Sequence, residues 1–201
     1  MQYDDLANEI VKICKSLRQN KLVNATHGNV SARVGNTMLI TPTGSDFNTL
    51  EGKDMVMMDI PSGKIISEGK PSKEFELHLL AYRKRPDIQA VVHAHSPKTV
   101  ALTCTDIKNT ADIMPSYTLA FALFTKHLPM VDYYRAGSKE LAEYSSNELI
   151  KHNAVALKHH GIIVVADSLL KALYRVEEIE ENADIALQIG TQCQALNPDQ
   201  L

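Results

Sequence analysis

Apolar positions Leu6, Ile10, Val11, Cys14 and Leu17 recur at helical spacing, and the stretch over residues 20–23 closes that element, so the pattern predicts a first helix. Residues 29–33 and 37–40 read as strands flanking the turn pair Gly35-Asn36, which predicts a hairpin. A further strand over 55–60 is followed by the turn Pro61-Ser62-Gly63 and a short strand over 64–66. Ser72 is placed to cap a helix to about Arg85, which Pro86 stops. The apolar run Ala90-Val91-Val92 leads a strand through His95, and Pro97 opens a helix to about Cys104. Strands are predicted near 115–119 and 130–133, then a helix from Ser138 to about His152. Apolar strands over 154–157 and 161–165 precede a long last helix from Ser168 to about Ile189. Helices alternating with hairpin-like strand pairs predict an α/β protein. Its mixed or antiparallel sheet carries helices on both faces, unlike the repeated parallel crossovers of a Rossmann fold.

Chemistry concentrates around His93-Ala94-His95. Alternation along a strand points both imidazoles to one face. Two polar rings in an apolar strand need partners, and together they make half of a transition-metal site. Glu74, in Pro71-Ser72-Lys73-Glu74, and the doublet His159-His160 before Gly161 offer the missing ligands. Neighbouring strand residues face opposite ways, so one histidine of the doublet reaches the site, and the pattern leaves open which. His78 lies four residues after Glu74 on the same helical face and is a rival ligand. Glu74 is preferred because a helix start lies near the strand ends where sites are assembled, whereas His78 sits inside the apolar run 77–81. Without a metal, Glu74 would read as a first-turn acid favoured by the helix dipole. Metallo-hydrolases also use His-x-His, but the Asp they place downstream on the same loop is replaced here by Ser96 and Pro97. Three histidines and a carboxylate suit Zn2+ or another divalent transition metal.

Composition narrows the function classes. The 201 residues fit a single domain over 1–201, with no repeat or linker-like stretch. A net charge of -3 with no basic stripe argues against nucleic acid as a partner. No segment approaches the roughly 20 apolar residues that span a bilayer. The acidic start Met1-Gln2-Tyr3-Asp4-Asp5 is unlike a secretory signal, which leads to a cytoplasmic, soluble expectation. Cys14, Cys104 and Cys193 are widely spaced and read as reduced thiols.

Taken together, Gly28-Asn29-Val30-Ser31-Ala32-Arg33, Thr41-Pro42-Thr43-Gly44, Lys70-Pro71-Ser72-Lys73-Glu74, the segment 90–96 and Lys158-His159-His160-Gly161 resemble the class II aldolase/adducin family, above all its L-fuculose-phosphate aldolase branch. The resemblance implies a three-layer α/β/α sandwich with a largely antiparallel central sheet. It also implies a homotetramer with sites between subunits, and one Zn2+ per subunit held by His93, His95 and His160 beside Glu74. The family's ligand is the histidine directly before Gly161. Phosphate binding is implied for Gly28, Asn29, Thr43, Gly44, Ser72 and Lys73, in keeping with glycine turns that let backbone N–H groups approach an anion. Read alone, such turns merely connect strands.

The implied activity is retro-aldol cleavage of a phosphorylated ketose, through an enediolate, to dihydroxyacetone phosphate and an aldehyde. Glu74 moves the proton at carbon, and a tyrosine of the adjacent subunit serves the leaving aldehyde. Tyr117 is the match for that tyrosine, with Tyr133 and Tyr134 as alternatives. Lys73, where the aldolases usually have serine, resembles instead the 3-oxo-tetronate 4-phosphate decarboxylases of the family, as does Val131-Asp132-Tyr133-Tyr134-Arg135. A pentulose-phosphate 4-epimerase fits less well, because that branch has Asp in place of Glu74. Adducin-like relatives, which keep the sandwich as non-catalytic binding modules, are the alternative of another class.

Overall fold

The apolar runs become strands because the sheet they build is covered on both faces. The computed structural model describes residues 3–189 and 193–201; Met1 and Gln2 of the acidic start, and Gln192 of the C-terminal tail, lie outside them. Among the described residues the chain runs α1 (Tyr3–Gln19), β1 (Asn29–Val34), β2 (Thr37–Ile40), β3 (Val56–Asp59), α2 (Phe75–Lys84), β4 (Ala90–Ala94) and α3 (Pro97–Thr103). It continues through α4 (Leu119–Phe124), β5 (Met130–Val131), α5 (Lys139–Glu148), β6 (Ala154–Leu157), β7 (Gly161–Ala166) and α6 (Leu169–Ile189). The strands form one seven-stranded sheet in the order β3-β2-β1-β4-β7-β6-β5. Only β5 and β6 pair parallel, so the sheet is mixed and largely antiparallel.

Alternation divides β4 and its neighbours between two cores. Val30, Ala32, Ala90, Val92, Ile162 and Val164 pack with α1, α3, α4 and α6, whereas Val91, Ile163 and Val165 pack with Leu77 and Tyr82 of α2 and Leu141 of α5. Helices on both faces give the three-layer α/β/α sandwich. His93, two residues after Val91, faces the α2 side, which is where Glu74 starts its helix.

Several predicted elements change. The strand near 115–119 does not form. Thr118 instead caps α4, its Oγ1 accepting from Phe121 N–H, and Asn182 of α6 accepts from the N–H groups of Tyr117 and Thr118 at 2.7 and 3.0 Å. The strand over 64–66 shrinks to one bridge between Met58 and Ile65, because Ile65 and Ile66 face solvent. The strand predicted near 130–133 is reduced to Met130–Val131. The N-cap of α2 is Glu74, not Ser72; Ser72 sits two residues earlier, its hydroxyl accepting from Glu74 N–H at 3.2 Å. α5 stops at Glu148 rather than near His152.

Gly161 is required by close approach. A Cβ there would lie 2.2 Å from the Ala94 carbonyl oxygen and 3.2 Å from His95 Cα. Gly161→Ala is therefore expected to prise β7 from the end of β4 and to cost about 3 kcal/mol in urea unfolding, the upper end of ordinary overpacking.

Candidate metal centre

Each residue of the cluster comes from a point where the chain enters or leaves regular structure. His93 precedes the last residue of β4, His95 lies just beyond it, Glu74 caps α2, and His160 closes the turn from β6 into β7. Because β1 and β7 both run antiparallel to β4, the start of β1 and the start of β7 meet the end of β4 at one edge.

The rings of His93, His95 and His160 meet edge to face, with centroids 4.8, 4.8 and 4.7 Å apart. His93 Nε2 lies 3.0 Å from His95 Nε2. Glu74 Oε2 is 3.2 Å from His93 Nε2, and Glu74 Oε1 is 3.5 Å from His160 Nε2. One potential ligand atom from each of the four residues falls within 4.8 Å of all the others. His93 Nδ1 donates to the Ile162 carbonyl at 2.9 Å, which turns the lone pair of a neutral ring, on Nε2, into the cluster. Glu74 Oε1 is buried and has no hydrogen-bond partner. Inward-facing imidazole nitrogens beside an unsatisfied carboxylate oxygen are a donor set that a divalent cation would satisfy.

The electrostatics agree with that reading. Burial, then the neighbouring His93, pushes His95 down to about 3 and His160 down to about 4. Both rings are thus neutral at neutral pH, the state a ligand needs. Burial also opposes charge on His93, but the Glu74 carboxylate and the Ile162 carbonyl outweigh it and raise its pKa. Burial opposes charge on Glu74 too, yet His93, His160 and Asn29 hold its carboxyl well below the usual carboxylate range.

The remaining expected residues surround the cluster unevenly. Gly28 has φ +81°, and a Cβ there would come within 2.9 Å of the His93 carbonyl oxygen, so this turn is glycine-dependent. Asn29 donates from Nδ2 to Glu74 Oε2 at 3.0 Å. Segments 41–44 and 70–72 lie side by side: Thr43 N–H donates to Lys70 O, and Ser72 N–H to Thr41 O. Thr43, Gly44, Ser72 and Lys73 therefore occupy two adjoining segments, the second of which leads directly into Glu74. Tyr117 is not brought into the cluster within this chain; its N–H is bound to Asn182. Of the doublet, His160 enters the cluster. His159 is in a turn with φ +58°, and its Nδ1 lies 3.2 Å from Cys104 Sγ. His78 stays outside, bonded at both nitrogens to Ser31 and Asn29.

One ring escapes the sequence reading. His27 stacks on His95 with centroids 4.9 Å apart and planes 25° from parallel. Its only signal was its place beside Gly28.

Comparison with known proteins settles the family. The model described as Class II Aldolase and Adducin N-terminal domain matches residues 8–187. The chain belongs to the class II aldolase and adducin family. Within this family it is 36% identical over 179 residues to an L-fuculose phosphate aldolase of Methanocaldococcus jannaschii, covering 89% of this chain and 94% of the relative. It is 33% identical to a 3-oxo-tetronate 4-phosphate decarboxylase of Haemophilus influenzae, covering 90% and 87% of the two chains. The crystal structure of YgbL from Escherichia coli superposes with a TM-score of 0.94 at 29% identity, covering 99% and 98%. Class II aldolases are metal-dependent, and a Glu/His cluster able to hold an ion is what this member has at the end of β4. No helix among its described residues is long and apolar enough to cross a membrane.

Proposed function

We propose that this protein is a carbon–carbon lyase that cleaves a phosphorylated ketose by a retro-aldol reaction to dihydroxyacetone phosphate and an aldehyde. The observation that carries the reading is the convergence of three imidazoles, two from the end of β4 and one from the turn between β6 and β7, on one buried carboxylate. A divalent transition metal, zinc before others, would be held by His93, His95 and His160 beside Glu74, and when bound supplies Lewis-acid stabilisation of charge developing on oxygen. The turn at Gly28 and Asn29, with Thr43, Gly44, Ser72 and Lys73, binds the substrate phosphate through N–H and O–H donors. As the bond breaks, its electron pair moves toward the carbonyl, and Glu74, ionised at rest, takes up a proton from solvent and delivers it to the carbon left behind, balancing the hydroxyl proton lost from the departing aldehyde. Tyr117, from an adjacent subunit of a tetramer, takes the hydroxyl proton of the departing aldehyde. Glu74 suits its task because it is buried and keeps one oxygen unengaged.

A decarboxylase acting on a 3-oxo-tetronate 4-phosphate is the second reading, favoured by one observation. Lys73 is exposed directly beside Ser72 and Glu74, and Gly137 packs on its backbone, a Cβ there meeting the Lys73 carbonyl at 2.9 Å. A cation so placed can pair with the carboxylate of a sugar acid. Incubation of purified protein with L-fuculose 1-phosphate and with a 3-oxo-tetronate 4-phosphate, after metal analysis, separates the readings. We expect stoichiometric metal and dihydroxyacetone phosphate with an aldehyde from the first substrate. Carbon dioxide from the second, with no turnover of the first, makes the enzyme a decarboxylase. A metal-free native protein inert to both would instead be a binding module.

A further inference from the structure

Between β1 and α2 a stripe of polar side chains crosses an otherwise apolar interface. Glu74, His78 and Tyr82 recur every four residues on one face of the helical segment, and Asn29 and Ser31 are alternate residues of β1 facing it. The two spacings mesh. Tyr82 Oη lies 3.0 Å from Ser31 Oγ, Ser31 Oγ 2.7 Å from His78 Nδ1, His78 Nε2 2.5 Å from Asn29 Oδ1, and Asn29 Nδ2 3.0 Å from Glu74 Oε2. Ser31 and His78 are fully buried and Tyr82 and Asn29 nearly so.

The donor order along this chain follows from its last member. An ionised carboxylate only accepts, so Asn29 must present its NH2 to Glu74 and therefore its oxygen to His78. His78 must then carry its proton on Nε2, which leaves Nδ1 to accept from the Ser31 hydroxyl, and Ser31 in turn accepts from Tyr82. Burial pushes His78 down to about 3, so the ring is neutral and holds a single proton.

We propose that this relay, Tyr82–Ser31–His78–Asn29, locks the Glu74 carboxylate in one orientation, with His78 as a positioning residue for the reaction. Both oxygens border the cluster, Oε2 at 3.2 Å from His93 Nε2 and Oε1 at 3.5 Å from His160 Nε2, but only Oε2 is tied to Asn29, and Oε1 is left without a hydrogen bond. The relay thereby gives two chemically equivalent oxygens different duties. A fully satisfied buried network of this kind rigidifies what it holds. The inference rests on the proposed role of Glu74.

Nitrogen-15 NMR of the histidine rings in metal-free protein at neutral pH tests the order directly. His78 is expected as the Nε2–H tautomer with Nδ1 unprotonated; an Nδ1–H tautomer, or a mixture of the two, overturns the relay. Two variants test its consequence. His78→Phe keeps a ring but leaves Asn29 Oδ1 without a donor, and His78→Gln restores an N–H near the position of Nε2. The Phe variant is expected to lose about 10-fold to 100-fold in kcat with KM little changed, and to bind zinc about tenfold more weakly in chelator competition. The Gln variant should recover most of both losses. A folded Phe variant with the parent's kcat and zinc affinity overturns the proposal, and should both variants fail to fold, the tautomer in the parent decides. A parent protein that binds no zinc and turns over neither substrate overturns the proposed function instead, and the relay is then judged by the tautomer alone.

Discussion

His95→Ala is expected to abolish both metal retention and turnover while leaving the fold intact. The ring lies just past β4 and is half-buried, so its loss opens little of either core. Losing one of the three proposed imidazole ligands should weaken zinc binding by well over 100-fold, beyond the roughly 10-fold to 100-fold typical of changes outside the ligand set. Lyase activity should fall in parallel. The metal-free variant should resist urea at least as well as the metal-free parent, because truncation relieves the crowding of three inward-facing imidazoles 4.7–4.8 Å apart. With zinc added, only the parent should gain stability, since a ligand stabilises in proportion to its binding to the native state. Equilibrium dialysis and denaturation with and without zinc measure both effects. Full metal occupancy in His95→Ala would remove this residue from the centre.

Glu74→Gln is expected to separate binding from chemistry. The amide keeps the volume of the side chain and can still accept from Asn29, whose Nδ2 lies 3.0 Å from Oε2. What it cannot do is carry the transferred proton, a contribution typically of about 100-fold to 10,000-fold. We therefore expect kcat to fall by that order, with a much smaller change in KM and with zinc retained at reduced affinity. Steady-state kinetics beside metal analysis is the check. A Gln variant with near-parental kcat would assign the proton transfer to another group. The same variant should lose exchange of the product's carbon-bound hydrogen with solvent deuterium, a half-reaction that reports on Glu74 without the aldehyde.

Much of the architecture was legible because it rests on local periodicity. The apolar positions of α1 and α6, the turn pair Gly35-Asn36, and the apolar runs of β4, β6 and β7 all form the elements their patterns predict. Two residues apart on an extended segment, His93 and His95 share a side, and alternation alone says so. The region from Ile113 to Val131 was not legible in the same way. The absence of a strand there is tied to Asn182, some 65 residues further on, which accepts the N–H groups of Tyr117 and Thr118. A distant side chain satisfying backbone donors leaves no trace in local periodicity.

The candidate site divides along the same line. Sequence by itself determined which residue types were available, that two histidines face one way, and the family resemblance. The residue pattern left the doublet open and the resemblance assigned it to His160; tertiary structure showed how that ring turns inward, beside a left-handed backbone at His159, and that His27 stacks on His95. It also placed Asn29 on Glu74 and His78 rather than leaving its amide free. Such choices depend on the antiparallel register that sets Asn29 opposite His93 and Ala94 opposite Ile162. Register is a property of paired strands, set by how both faces of the sheet are buried at once.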